Sequence, residues 1–152
     1  MVVVQEHAFD VGTELARLKA GRTDIGGTAI FVGSVRDVSD GENVSAMTLE
    51  HYPGMTEKAL ADIETEARSR FQIYDILIIH RFGILQAGED IVLVIACAGH
   101  RQAAFNACEF LMDWLKTKAP FWKLESGTSG TRWVDTNVHD DAASSRWTQK
   151  HD

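Results

Sequence analysis

Two short stretches hold the residue types best suited to chemistry. His100-Arg101 follows an unbroken apolar run and opens a helical pattern. The first N–H groups of a helix have no intrahelical partner, and the helix dipole adds partial positive charge, so such a junction favours an anion. A guanidinium beside it adds planar, bidentate recognition of phosphate or carboxylate. The plain alternative is an exposed first-turn Arg101 with His100 as a cap; spacing alone does not separate the two. The second stretch carries Lys116 and Lys123. Lys116, like Lys118, lies near the end of the helical pattern, where cations also sit for dipole reasons alone. Lys123 follows Pro120-Phe121-Trp122 and precedes Leu124-Glu125. In so apolar a setting a lysine lines a pocket more readily than it faces water. Burial favours the neutral amine, which suits proton transfer or covalent chemistry. Glu125 would orient either lysine.

Two further candidates are weaker alone. Gly33-Ser34-Val35-Arg36 allows close backbone approach and then places an arginine at the start of a turn-rich loop, but taken alone it is better explained as an ordinary strand end. His80-Arg81 before Gly83 reads as a structural pair at a strand terminus. The histidines, His51, His80, His100 and His139 among them, form no zinc spacing. CxxC, P-loop, GxGxxG and GxSxG motifs are missing, which argues against a nucleotide-dependent enzyme or a serine hydrolase.

These residues need elements to hold them. Val2 to Val4 predicts a short strand, and Asp10 caps a short helix that runs to Gly21. Gly26 to Val35 is β-like, Arg36 to Glu42 a mobile loop, and Val44 to His51 a strand. Met55 to Phe71 repeats apolar residues at helical spacing, with a charged, solvated opposite face. Ile73 to Ile79 and Ile91 to Ala98 are strands, joined through a turn at Gln86 to Glu89; the second reads as a central strand covered on both faces. A second strong helix follows Arg101, buries Ala104, Phe105, Cys108, Leu111, Met112 and Leu115, and stops at Pro120. Phe121 to Leu124 and Thr131 to Val134 close the pattern. Residues 1–136 thus form one domain, and 137–152 a loose polar tail whose only large apolar residue is Trp147. Strands and helices mix without strict βα alternation, which predicts an α+β fold.

Composition narrows the function classes. A net charge of -7 argues against a general nucleic-acid or membrane-surface binder, and it makes a local cluster of cations more informative. Two cysteines, Cys97 and Cys108, both fall in apolar patterns and read as reduced core residues. The opening MVVVQEHAFD is too quickly polar for a signal peptide, and no apolar stretch reaches membrane-spanning length, so the cytoplasm is the expected compartment.

Taken in order, FVGSVR (Phe31 to Arg36), LEHYPGM (Leu49 to Met55), IIHRFG (Ile78 to Gly83), AGE (Ala87 to Glu89), GHRQAAFNAC (Gly99 to Cys108) and LKTKAPFWKLE (Leu115 to Glu125) resemble the large, catalytic subunit family of molybdopterin synthase. The resemblance runs from about Gly26 to Val134. It implies an α/β-hammerhead fold, a mixed sheet with two main helices packed on it, and a homodimer of large subunits within a heterotetramer. It implies a small ubiquitin-like sulfur-carrier subunit whose C-terminal Gly-Gly thiocarboxylate enters a pocket on the large subunit. There, cyclic pyranopterin monophosphate would become the dithiolene molybdopterin, with no resident cofactor or metal. Carried over by position, Ser34, Val35, Arg36, His100 and Arg101 would bind substrate, Lys116 and Lys123 would be catalytic, and Leu124 and Glu125 would complete the wall. Many relatives place a second basic residue where Leu124 stands, so position 124 brings no charge here. Two other classes fit the same cluster: a non-catalytic pterin- or phosphate-binding scaffold, and a phosphoester hydrolase with His100 as base.

Overall fold

In the computed structural model, residues 1–39, 42–127, 130–133 and 145–148 are described. Twelve elements follow one another: β1 (Val2–Gln5), α1 (Val11–Lys19), β2 (Gly27–Ser34), β3 (Val38–Ser39), β4 (Glu42–His51), α2 (Met55–Arg70), β5 (Ile73–Arg81), β6 (Gly83–Gln86), β7 (Asp90–Ala98), α3 (Arg101–Thr117), β8 (Phe121–Gly127) and β9 (Gly130–Trp133). The mixed α+β architecture agrees with the pattern read from the sequence.

The main sheet has the order β1-β5-β7-β2. β1 runs parallel to β5, while β5 and β2 flank β7 antiparallel. Strand alternation sorts the apolar residues into two layers. Ile76, Ile78, Val92, Val94, Ala96 and Ala98 face α2 and α3, joining Leu60, Ile63, Phe110 and Leu111 in the larger core. Leu77, Ile79, Leu93, Ile95 and Cys97 face the other way, under α1 residues Val11, Leu15 and Leu18. β7 is therefore covered on both faces, as its unbroken apolar run requires.

Helix ends are set by local chemistry. Asp10 accepts a hydrogen bond from the Thr13 N–H at 2.8 Å and caps α1. Gly54 precedes α2 at φ 84°, a left-handed conformation that favours glycine, and its N–H donates to Glu57 Oε2 at 2.6 Å. Gly26 and Gly27 allow β2 to start hard against the α3 junction. A Cβ on Gly26 would lie 2.0 Å from the Gly99 carbonyl oxygen, and one on Gly27 3.2 Å from the Arg101 Cα.

The second sheet places β8 beside β4, with β9 beyond β8, β3 at the start of β4, and β6 on the other side of β4. Its small core joins Val35, Met47, Leu49 and Leu85, with Phe82 and Ile91 packed against it. β3 and β6 were not expected. The predicted loop contains β3, paired with β4. β6 spans only four residues, with Leu85 buried and Ile84 70% exposed.

Most of the tail, 137–144 and 149–152, lies outside the described residues, as does Val134 of the predicted last strand. Residues 145–148 are not loose. Trp147 packs edge-on against Phe71 and Phe110, with centroids 5.9 and 5.5 Å away, and its indole N–H donates to Asp113 Oδ2 at 2.5 Å. Arg146 pairs with Glu109 at 2.7 Å and Asp113 at 3.0 Å. The tail thus touches its own helices α2 and α3.

Candidate active site

Ser34 ends β2, and its hydroxyl donates to Asp90 Oδ1 at 2.7 Å. Val35 is buried. Its N–H donates to the Glu89 carbonyl at 2.8 Å, and its carbonyl accepts from the Gly88 N–H at 2.7 Å. This double tie to the 87–89 turn fixes the point where the chain turns outward to the exposed Arg36. Arg36, Asp37, Val38, Ala87 and Gly88 line a shallow depression there.

β8 supplies Lys123 and Leu124. In the β4–β8 ladder Leu49 faces Lys123, Thr48 faces Leu124, and Met47 faces Glu125. Cross-strand partners share a sheet face. Lys123 therefore points with buried Leu49, its ammonium carried on a half-buried stem. Leu49 shares its core with Val35, so the β2 end and the β8 lysine are built on one apolar base. Lys116 is exposed in the last turn of α3, where the helix dipole favours a cation.

His80 reports on both lysines. It is 8% exposed, and its conjugate acid is pushed down to about 4. Burial is the main cause; the hydrogen bond to the Arg81 carbonyl opposes it, and the charges of Lys123, Lys116 and His51 add to it. The two lysines are thus electrostatic neighbours of one neutral imidazole. His80 pairs with Val92, which also pairs with Gly33, so the ring sits in the same row as the end of β2.

His100 and Arg101 lie elsewhere. His100 precedes α3 with no side-chain cap bond, no acid occupies the first turn, and Arg101 is exposed with no ion pair among the described residues. This junction packs on the start of β2. Seven residues of strand separate it from Ser34, about 23 Å. Fifteen residues of helix separate Arg101 from Lys116, about 22 Å. Within one chain, Ser34, Val35, Arg36, Lys116, Lys123 and Leu124 gather at one end of the fold, and His100 and Arg101 stand at the other.

The structural reading of His80-Arg81 holds for the arginine. Its Nε and Nη1 donate to the Glu6 and Asp90 carbonyls at 3.0 and 2.9 Å, and it pairs with Glu89 at 3.6 Å. Both cysteines are free and buried, and burial pushes the Cys108 thiol up to about 11. Sequence reasoning missed the place of His51 and His80 beside the lysines. His51 shares a sheet face with Leu49 by the period of two, but its pairing with β8 has no local signal.

A family model described as "MoaE protein" matches residues 4–118. A molybdopterin synthase catalytic subunit from Ralstonia nicotianae is 56% identical over 144 residues, 95% of this chain and 82% of that protein. One from Pseudomonas aeruginosa is 54% identical over 144 residues, 95% and 96% of the two chains. The solved structure of a molybdopterin biosynthesis MoaE protein from Burkholderia ambifaria superposes with a TM-score of 0.83 at 49% identity, covering 99% of each chain.

Proposed function

The chain belongs to the MoaE protein family, and we propose that two copies of it build each active site together, one giving Ser34 to Arg36 with the lysines and the other His100 and Arg101. The protein is the catalytic subunit of molybdopterin synthase. It transfers sulfur from the thiocarboxylated C-terminus of a small carrier subunit to cyclic pyranopterin monophosphate, forming the dithiolene of molybdopterin. No helix of the described residues is long and apolar enough to cross a membrane. We propose the cytoplasm as its compartment.

The observation that carries the assignment of residues is the separation along α3. Arg101 stands about 22 Å from Lys116 on one rigid helix, too far for both to hold one small substrate within a chain. In a closed dimer, a surface of one copy meets the equivalent surface of its partner, so the far end of α3 in one copy can reach the lysine pocket of the other. Arg36 and Arg101 then grip the phosphate from two sides, and the uncapped first turn of α3 adds N–H donors. The same positive field draws in the anionic thiocarboxylate tail.

Lys123 is the acid–base group in this reading. It protonates the oxygen leaving the pterin as each sulfur adds and recovers the proton from water as the carrier's acyl group is hydrolysed. Lys116, on the rim, stabilises charge on the thiocarboxylate carbonyl. Leu124 and Glu125 follow Lys123 along β8, and in this reading they complete the wall. Reconstitution with thiocarboxylated carrier and precursor tests these roles. Lys123→Ala and Lys116→Ala should each lower turnover at least about a hundredfold with an unchanged melting temperature. Near-normal turnover in both variants would refute the lysine roles.

A further inference from the structure

Two histidines adjoin the lysines, and one is oddly provided for. In the β4–β8 ladder His51 faces Phe121 and Leu49 faces Lys123, so all four side chains project from one sheet face. Diagonal neighbours on adjacent strands lie about 7–8 Å apart, within reach of a lysine stem. The His51 ring sits 4.4 Å from Phe82 at a 49° tilt and 6.1 Å from Phe121. His80 stacks on the same Phe121 at 3.8 Å and 16°. The Nδ1–H of His80 donates to the Arg81 carbonyl at 2.8 Å, so its Nε2 keeps the lone pair. His51 Nδ1, in contrast, is fully buried and has no hydrogen-bond partner among the described residues.

Buried polar atoms without partners are rare, and each one weakens the folded state. A phenyl ring would fill the slot between Phe82 and Phe121 without that penalty. The nitrogen at position 51 therefore serves something other than packing. Among the described residues, Lys123 of β8 lies diagonal to it across the ladder, and His51, Lys123 and Lys116 of α3 all act on the charge of the neighbouring His80 of β5. A neutral imidazole accepts from an ammonium and donates to an amine, so it can follow a lysine through both of its protonation states.

We propose that His51 is a positioning residue for Lys123, holding its amino group toward the reacting sulfur and exchanging a hydrogen bond with it when the pocket is loaded. No covalent step passes through the imidazole. The inference rests on the catalytic reading of Lys123. The two are separable: full turnover in Lys123→Ala removes the premise, whereas lost turnover there with full turnover in His51→Phe removes this inference alone.

The test uses the complex reconstituted with thiocarboxylated carrier and cyclic pyranopterin monophosphate. His51→Phe should melt at or above the native temperature, keep KM within about twofold and lower kcat at least about tenfold. His51→Gln, which restores a hydrogen-bonding side chain, should recover most of kcat while melting no higher than the native protein. Stability and turnover then move in opposite directions, which a purely structural residue would not produce. Turnover of His51→Phe within twofold of native overturns the assignment, as does a loss that only tracks melting temperature and is not relieved by Gln. Should His51→Phe fail to fold, His51→Leu replaces it: turnover kept in Gln and lost in Leu upholds the assignment, and equal turnover in both overturns it.

Discussion

The two ends of α3 are built for opposite tasks. At the N-terminal end His100 and Arg101 are exposed, the first turn has no acid, and no side chain caps it. At the C-terminal end Lys116 stands near Lys123 and a buried imidazole that stays neutral down to about pH 4. In the proposed reading the open end meets an anion delivered from outside its own fold. The closed end already has its neighbours and can tune proton transfer. In the proposed reading, one helix serves as a rigid spacer between a binding half-site and a reacting half-site.

The sharpest way to break this comparison is complementation. Arg101→Ala and Lys123→Ala should each be almost inactive alone. If the two halves come from different copies, mixing them after subunit exchange should restore about a quarter of native sites, since half the dimers are mixed and each holds one intact site. No recovery, with exchange verified by mass, would return both ends to a single chain.

Acid titration sharpens the closed end. His80 has a folded pKa of about 4 against about 6.5 unfolded, so the unfolded chain binds the extra proton between those values. Its contribution to stability is complete above pH 6.5 and is lost as the pH falls toward 4, on the order of 3 kcal/mol. Denaturant unfolding of His80→Phe should show a flatter dependence across that window than the native protein. The same slope in both would mean that the ring is not dry.

The smallest effect concerns the middle of the helix. Trp147 braces α3 through Phe110, near its middle, and Asp113, in its C-terminal half. Trp147→Ala should destabilise by about 2 kcal/mol in denaturant unfolding and leave kcat at 25 °C unchanged. A lost kcat would show that the brace sets the spacing between the half-sites.

Much of this was legible in the chain itself. The apolar run of β7 and the helical stripes of α2 and α3 depend on local periodicity, and the structure places them where the pattern does, except that Met55 and Phe105, read as part of the buried stripes, are exposed. β6 was hidden because four residues with one exposed isoleucine hold too little alternation. The cations were visible as types, but their grouping was not. Neighbours on paper, Arg101 and Lys116 are parted by the very helix that carries them. His51 meets Phe121 only through a ladder that joins residues 70 apart in sequence, and no local pattern encodes that register.

That ladder fixes which face each β8 side chain takes. Side chains alternate along β8, so Lys123 faces inward while exposed Trp122 packs outward against Tyr52 at 4.2 Å. Inserting or deleting one residue between Pro120 and Lys123 would turn the lysine to solvent and drive the indole inward. A two-residue shift would keep the faces. Within β8, an odd shift of register would move Lys123 off the face it shares with Leu49.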